Sequence, residues 1–280
     1  QLLGSSDVTV YDMSLKWGTG DGIKITNGKN ANIHDNVIDR IGHDGIYLKF
    51  ITNADVYNNW ICVKCSSGVR IVDGDNIKIH DNEIMSKKQG VAGMEIQKPN
   101  DNPMNVEIYN NKIYTTYYSG IWAYSYKKAT SKTSNIVIHD NEITDCGHKI
   151  GGGITIHGVN VVLENNKITD NINYDVGIEY IDISYTADSP SDRPQGSGYK
   201  IILKNNEIGS EVANRLPSTH TIEYTTDPTT TKIPKTRASE KSIIAKILAH
   251  LSIGNKFKKA ARSIFFHWIF RCCVNLGMNF

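Results

Sequence analysis

One short phrase recurs along most of the chain: an apolar residue, any residue, Asp or Asn, Asn, any residue, an apolar residue. It reads IHDNVI at Ile33–Ile38, VYNNWI at Val56–Ile61, IHDNEI at Ile79–Ile84 and IYNNKI at Ile108–Ile113. It continues as IHDNEI at Ile138–Ile143, LENNKI at Leu163–Ile168 and LKNNEI at Leu203–Ile208, after a degenerate copy at Val10–Leu15. Counted from Met13 through Asn36, Asn59, Asn82, Asn111, Asn141, Asn166 and Asn206, the spacings are 23, 23, 23, 29, 30, 25 and 40. A second phrase follows each copy, a glycine and then an alternating strand, at Gly22, Gly45, Gly68, Gly93, Gly120, Gly153 and Gly177. Chance does not keep two phrases in phase over so many copies, and an internal period outranks every other signal in deciding a fold.

Each unit holds two or three short strands with period-two alternation and Asp, Asn and Gly at its corners. No stretch inside the repeat has the helical periodicity of a crossover helix. A unit this short cannot bury its own apolar face, so units must stack on one another. Stacking like on like gives parallel strands without intervening helices. The expected fold is all-β, a right-handed single-stranded parallel β-helix of about seven to eight turns. The recurring Asn has a physical reason in that fold, because stacked Asn side chains at a corner hydrogen-bond along the ladder. The Asp or Asn before it suits a turn in left-handed backbone.

The NN-x-I corner resembles that of the right-handed parallel β-helix repeat proteins, the pectate-lyase-like superfamily, from Val8 to about Gly209. The stretches Tyr117–Ile156 and Ile38–Leu48 are similar to the disaggregatase-related family of methanogenic archaea. That resemblance implies depolymerisation of a chondroitin-like heteropolysaccharide between cells. GHDG at Gly42–Gly45 resembles one polygalacturonase element, but the companion Asp-Asp and Arg-x-Lys elements are absent.

Alternation sets the outward side chains of the strands after each Gly. The first column reads Lys24, Tyr47, Arg70, Glu95, Trp122, Thr155, Glu179, and the second Thr26, Lys49, Val72, Gln97, Tyr124, His157. Aromatic planes beside charged donors suit an extended acidic sugar chain. Lys49, Arg70, Glu95, His157, Asp44 and His43 are the candidate catalytic residues. Tyr47, Trp122, Tyr124, Gln97 and Glu179 are the candidate substrate contacts. A lyase draws on Lys49, Arg70, Tyr124 and His157 as base and cations beside a uronate carboxyl. A hydrolase needs paired carboxylates. Glu95 and Glu179 stand three turns apart, too far to pair, whereas Asp21 and Asp44 occupy adjacent turns and can approach about 5 Å. Asp44 with His43 is the best local acid–base couple, although Asp-Gly is also an ordinary turn dipeptide. Arg70 and Glu95 equally suit a plain cross-strand ion pair. Insertions at Lys98–Met104, Tyr124–Ser134, Cys146–Gly152 and Thr186–Ser197 suit the walls of a site.

Metal signals are weak. His34, His80 and His139 alternate with tyrosines on another outward column, about 10 Å or more apart by rung pitch, and read as solvated edge residues. Cys62-x-x-Cys65 lacks a second half and reads as packed thiols, and Cys146 with His148 shows no third partner. Calcium has only scattered candidates in Asp170, Asp175 and Asp182.

The net charge of +2 conceals an acidic body and a basic tail. Ten Lys and Arg against Glu240 place +9 on Thr231–Phe280, which leaves −7 on the rest. Charge therefore gives no reason to expect nucleic acid as a partner. The expected domains are a β-helix over 1–215, a Thr/Pro-rich linker over 216–238 and a basic amphipathic tail over 239–280. The tail has helical spacing and reads as a solenoid cap, a membrane-surface contact or an artefact of a misread gene. No run approaches the roughly 18 apolar residues of a membrane span. The chain opens on Gln1, so a partial or processed product is expected. Taken together, a monomeric, extracellular or cell-surface enzyme that cleaves a uronate-bearing polysaccharide is expected, lyase or hydrolase. The rival is a non-catalytic carbohydrate-binding or surface module.

Overall fold

The structure is a computed structural model that describes residues 1–87, 89–99, 102–125, 134–179, 199–215, 217 and 220–225. The chain divides into Gln1–Pro234 and Lys235–Phe280. The second unit lies outside the described residues, as do the tail expectations, Asp182 and the insertions over 126–133 and 186–197.

Among the described residues the strands form three parallel sheets of nine, nine and eight strands, each strand pairing with the one three places along the chain. The fold is a right-handed parallel β-helix. Face A holds the post-Gly strands, such as Ile46–Lys49 and Val69–Val72. Face B holds the strands before the Asn corner, such as Thr52–Tyr57, and face C those after it, such as Trp60–Val63. His220–Tyr224 adds a ninth strand to face B, so the solenoid continues past the last recognisable corner phrase.

The interior is a set of aliphatic columns. One runs through Ile25, Leu48, Ile71, Ile96, Ala123, Ile156 and Ile178, all in register. Every member is fully buried. Each buried Ile or Leu contributes about 1.5–3 kcal/mol, and the core is shared by neighbouring rungs rather than owned by any one.

The Asn ladder is continuous. The backbone N–H of Asn36 donates to Asn59 Oδ1, and the same step repeats from Asn59 through Asn82, Asn111, Asn141 and Asn166 to Asn206. The residue before each corner Asn, from Asp35 through Asn205, has φ between 49° and 55°. Asp and Asn tolerate that region because their short polar side chains bond locally.

The glycine column has a different cause. A Cβ on Gly68 would lie 2.6 Å from Gly93 O and would also strike the Ile84 side chain. Only a bare Cα lets the rungs approach here. Gly68→Ala is expected to cost about 2 kcal/mol by overpacking, read as a lower urea midpoint. An unchanged midpoint would show that the rung relaxes freely.

Candidate functional site

Face A carries the predicted first column in register: Lys24, Tyr47, Arg70, Glu95, Trp122 and Thr155 stand on successive rungs. Burial divides it. Lys24, Tyr47, Lys49, Arg70 and Gln97 keep partial exposure, whereas Glu95, Trp122, Tyr124, Thr155, His157 and Glu179 are buried. This corrects the expectation of one open ladder. Trp122 and Tyr124 pack with Val91, Ala92 and Tyr118 into a small apolar cluster of their own. Alternation decides which side of a sheet a residue takes, and the chain laid over that side decides its exposure.

Glu179 also moves column. Thr155 pairs with Gly177 and Ile156 with Ile178, so Asp175, not Gly177, is the counterpart of Gly153. Glu179 therefore sits beside His157, with its Oε2 2.7 Å from His157 Nδ1. The pair is buried and carries no open surface for substrate.

The open part of face A, over rungs one and two, is a shallow groove of about 250 Å³ lined by Lys24, Thr26, Asn27, Tyr47, Lys49 and Phe50. Lys49 has no carboxylate partner among the described residues, and its ammonium lies 5.1 Å from the Phe50 ring centre. Lys24 lies 4.7 Å from the Tyr47 ring centre and 3.0 Å from Asp21 Oδ2. Burial pushes the Tyr47 hydroxyl above its ordinary pKa, so it stays protonated at neutral pH.

The turn that enters face A carries an acid–base cluster, joined to the groove through Lys24, which lines the groove and holds Asp21. Asp21, Asp44 and Ser67 occupy the same repeat position, immediately before Gly22, Gly45 and Gly68. His43 and Ser66 occupy the position before that. His43 Nδ1 lies 2.5 Å from Asp21 Oδ1 and 3.2 Å from Asp44 Oδ2. Asp21 is partly buried, which pushes its pKa up, but hydrogen bonds from Lys24 and His43 outweigh this and hold it below the usual value. Asp44 is fully buried, and desolvation lifts its pKa despite Arg70 and Ser66 nearby. The two carboxylates on one imidazole are thus pushed in opposite directions. His43 itself is half-exposed.

Arg70 makes the cross-strand ion pair with Glu95 that the sequence allowed, and it also reaches Asp44. Its Nη2 lies 2.8 Å from Glu95 Oε2, and its Nε lies 3.5 Å from Asp44 Oδ1. Glu95 also accepts from Ser67 Oγ at 2.8 Å and from the Tyr124 hydroxyl. Buried Glu95 thus accepts from three residues, Arg70, Ser67 and Tyr124.

The remaining candidates fall elsewhere. Tyr11, His34, Tyr57, His80, Tyr109 and His139 form one stacked column on face B, with centroids 4.6–5.4 Å apart and planes within 7°. This corrects the reading of these histidines as solvated edge residues. Their ring faces cover one another, and each imidazole Nδ1 lies 2.6–2.7 Å from the carboxylate of the next residue. A larger concavity of about 500 Å³ beside this column is lined by Asn30, Asn53 and Asn76, whose positive φ explains their identity. Cys62 is buried but Cys65 is exposed, so packed thiols hold for Cys62 alone. Burial pushes the Cys146 thiol up to about 12, which leaves it inert, and His148 contacts Asp145. Among the described residues Asp170 and Asp175 belong to no convergent ligand group, whereas Asp21, His43 and Asp44 do.

Residues 104–225 match the disaggregatase-related family. Residues 1–116 match NosD, a family described as a periplasmic copper-binding protein. No curated protein matches the chain in sequence. Among solved structures, the A-module of the mannuronan C-5 epimerase AlgE4 of Azotobacter vinelandii is 17% identical with a TM-score of 0.61. The likeness covers 79% of this chain and 60% of that one, so the chain spans less than two thirds of the epimerase module. A tailspike of Pseudomonas phage phi297 is 10% identical over 77% of this chain and 43% of that one, with a TM-score of 0.28. The epimerase likeness shows a shared fold. No helix among the described residues is long and apolar enough to cross a membrane.

Proposed function

We propose that this β-helix is a polysaccharide lyase acting on a uronate-bearing, chondroitin-like polymer at or outside the cell surface. The observation that carries the reading is an imidazole, His43, held by Asp21, which Lys24 in turn ties to an open groove bearing Lys49 and Tyr47. Asp21 engages Nδ1, which leaves Nε2 as the basic nitrogen. In the proposed step, Nε2 takes the proton beside the uronate carboxyl. Lys49 pairs with that carboxylate and stabilises the negative charge as it develops. The bond from the ring to the glycosidic oxygen then breaks, a carbon–carbon double bond forms, and the Tyr47 hydroxyl protonates the departing oxygen. Hydrolysis is less well supported, because Asp44 is fully buried and no anomeric carbon can reach it. The disaggregatase-related match over 104–225 and the polysaccharide-acting name of the epimerase are consistent with a carbohydrate substrate.

The test is incubation with chondroitin-like and pectic polymers, following the ultraviolet absorbance of the unsaturated product. His43→Ala is expected to lower kcat/KM about 10³-fold, within the usual contribution of a positioned base. Lys49→Ala is expected to raise KM about tenfold, the loss of a charge-assisted contact. New reducing ends without absorbance would reassign the chain as a hydrolase. Binding without either product would make it a non-catalytic module.

A further inference from the structure

We infer that Asp21, His43 and Asp44 form a binding site for a divalent transition-metal ion, through His43 Nδ1 and one oxygen of each carboxylate. Among the described residues these three are the one group whose ligand atoms all lie within 4.8 Å of one another. The hydrogen bonding around them is one proton short. Asp21 Oδ1 and Asp44 Oδ2 both converge on the same imidazole nitrogen, at 2.5 Å and 3.2 Å. One N–H serves Asp21, and Asp44 Oδ2 is left buried with no hydrogen-bond partner on a residue of 0% exposure. A buried carboxylate oxygen in that state is costly. A doubly charged ion in place of the single proton would satisfy all three atoms.

The surroundings already orient the inner oxygens. Lys24 holds Asp21 Oδ2 at 3.0 Å. Ser66 Oγ and the Ser67 N–H hold Asp44 Oδ1 at 2.7 Å and 3.0 Å, and Arg70 stands 3.5 Å from it. Such partners fix ligand direction in metal sites, and the charges of Lys24 and Arg70 moderate affinity. One imidazole nitrogen with two carboxylate oxygens and no sulfur suits zinc, manganese, cobalt, iron(II) or copper(II). Calcium, which takes six to eight oxygens, finds only two. His43 is half-exposed, so the outer coordination positions face solvent and remain open.

An ion on Nδ1 keeps the imidazole proton on Nε2 and removes the base, a regulatory consequence that rests on the lyase reading. The site itself is tested apart from activity. Metal-free protein is titrated with Co(II), following visible absorption and calorimetry. One ion per chain is expected. His43→Ala and Asp21→Asn, both at partly exposed positions, are expected to weaken binding at least tenfold with far-ultraviolet circular dichroism unchanged. His80→Ala, on face B, should bind as the unaltered protein does. Calcium binding as tight as Co(II), or unaltered Co(II) affinity in His43→Ala and Asp21→Asn, would overturn the inference. Zinc suppression of the unsaturated product tests the regulatory consequence. Metal binding by a protein that makes no unsaturated product would sink the lyase reading and leave the site standing.

Discussion

Asn82→Ala is expected to remove about 4 kcal/mol of stability, a large share of what a domain of this kind possesses. The Asn82 side chain donates to Val56 O at 2.9 Å, His80 O at 2.8 Å and Asn111 Oδ1 at 3.0 Å. Its Oδ1 accepts from the backbone N–H and the Nδ2 of Asn59, both at 3.0 Å. Alanine orphans these groups inside the corner, where each unsatisfied buried partner costs about 1–3 kcal/mol and some recover through water or a relaxed turn. Asn82→Asp should be worse, because a carboxylate accepts but cannot donate and is charged when buried. Asn76→Ala is the control. Asn76 is exposed and reaches only Asn53, so about 1 kcal/mol is expected, mostly from its φ of 54°. Urea unfolding with reversible refolding measures all three. Equal losses at Asn82 and Asn76 would mean that the ladder accompanies the fold without stabilising it.

Arg70→Ala is expected to unfold the protein at a denaturant concentration well below that of the unaltered chain, with a loss of about 3–5 kcal/mol. The guanidinium lies between the buried carboxylates of Asp44 and Glu95. Removing it leaves Glu95 in a low-dielectric interior with only hydroxyl partners, and Asp44 with Ser66, Ser67 and the His43 ring. The loss should shrink when Glu95 is neutralised in the same chain. A cycle with Glu95→Gln is expected to give a coupling of at least about 1.5 kcal/mol, since the two residues touch. A role confined to substrate would give the opposite pattern, with activity lost at unchanged stability and no coupling.

The repeat was legible because its causes are local. A corner that needs left-handed backbone selects Asp or Asn, a buried ladder selects Asn, and a shared core selects Ile on both sides. The outward columns on face A followed from the same alternation. Three things were not legible. The burial of Trp122, Tyr124 and Glu95 depends on what is laid over face A, and strand period carries no record of that. The register of the seventh rung was misplaced because Gly177 resembles the column glycine, while Asp175 holds its place. The second acid on Arg70, Asp44, depends on where a side chain ends, and position in the repeat reveals only where it begins. The acid–base cluster was legible in part. The position before the strand glycine carries Asp21, Asp44 and Ser67 in succession, and reading it as a column brings the acid–base cluster together.

The ring stack on face B has a consequence for how the chain finds its own order. The first three repeat spacings are identical, and every corner from Asp35–Asn36 onward presents Asp or Asn followed by Asn. The Asn ladder would therefore accept almost any rung on any other. The rings would not. Tyrosine and imidazole alternate from Tyr11 to His139, so a misthreaded chain that skipped one repeat would set like against like. It would also separate His80 from Asp55 and His139 from Glu107, contacts that join neighbouring rungs at 2.9 Å and 3.3 Å. The stack thus acts as an addressing code of period two, a safeguard against miscounting in a molecule built from nearly interchangeable parts.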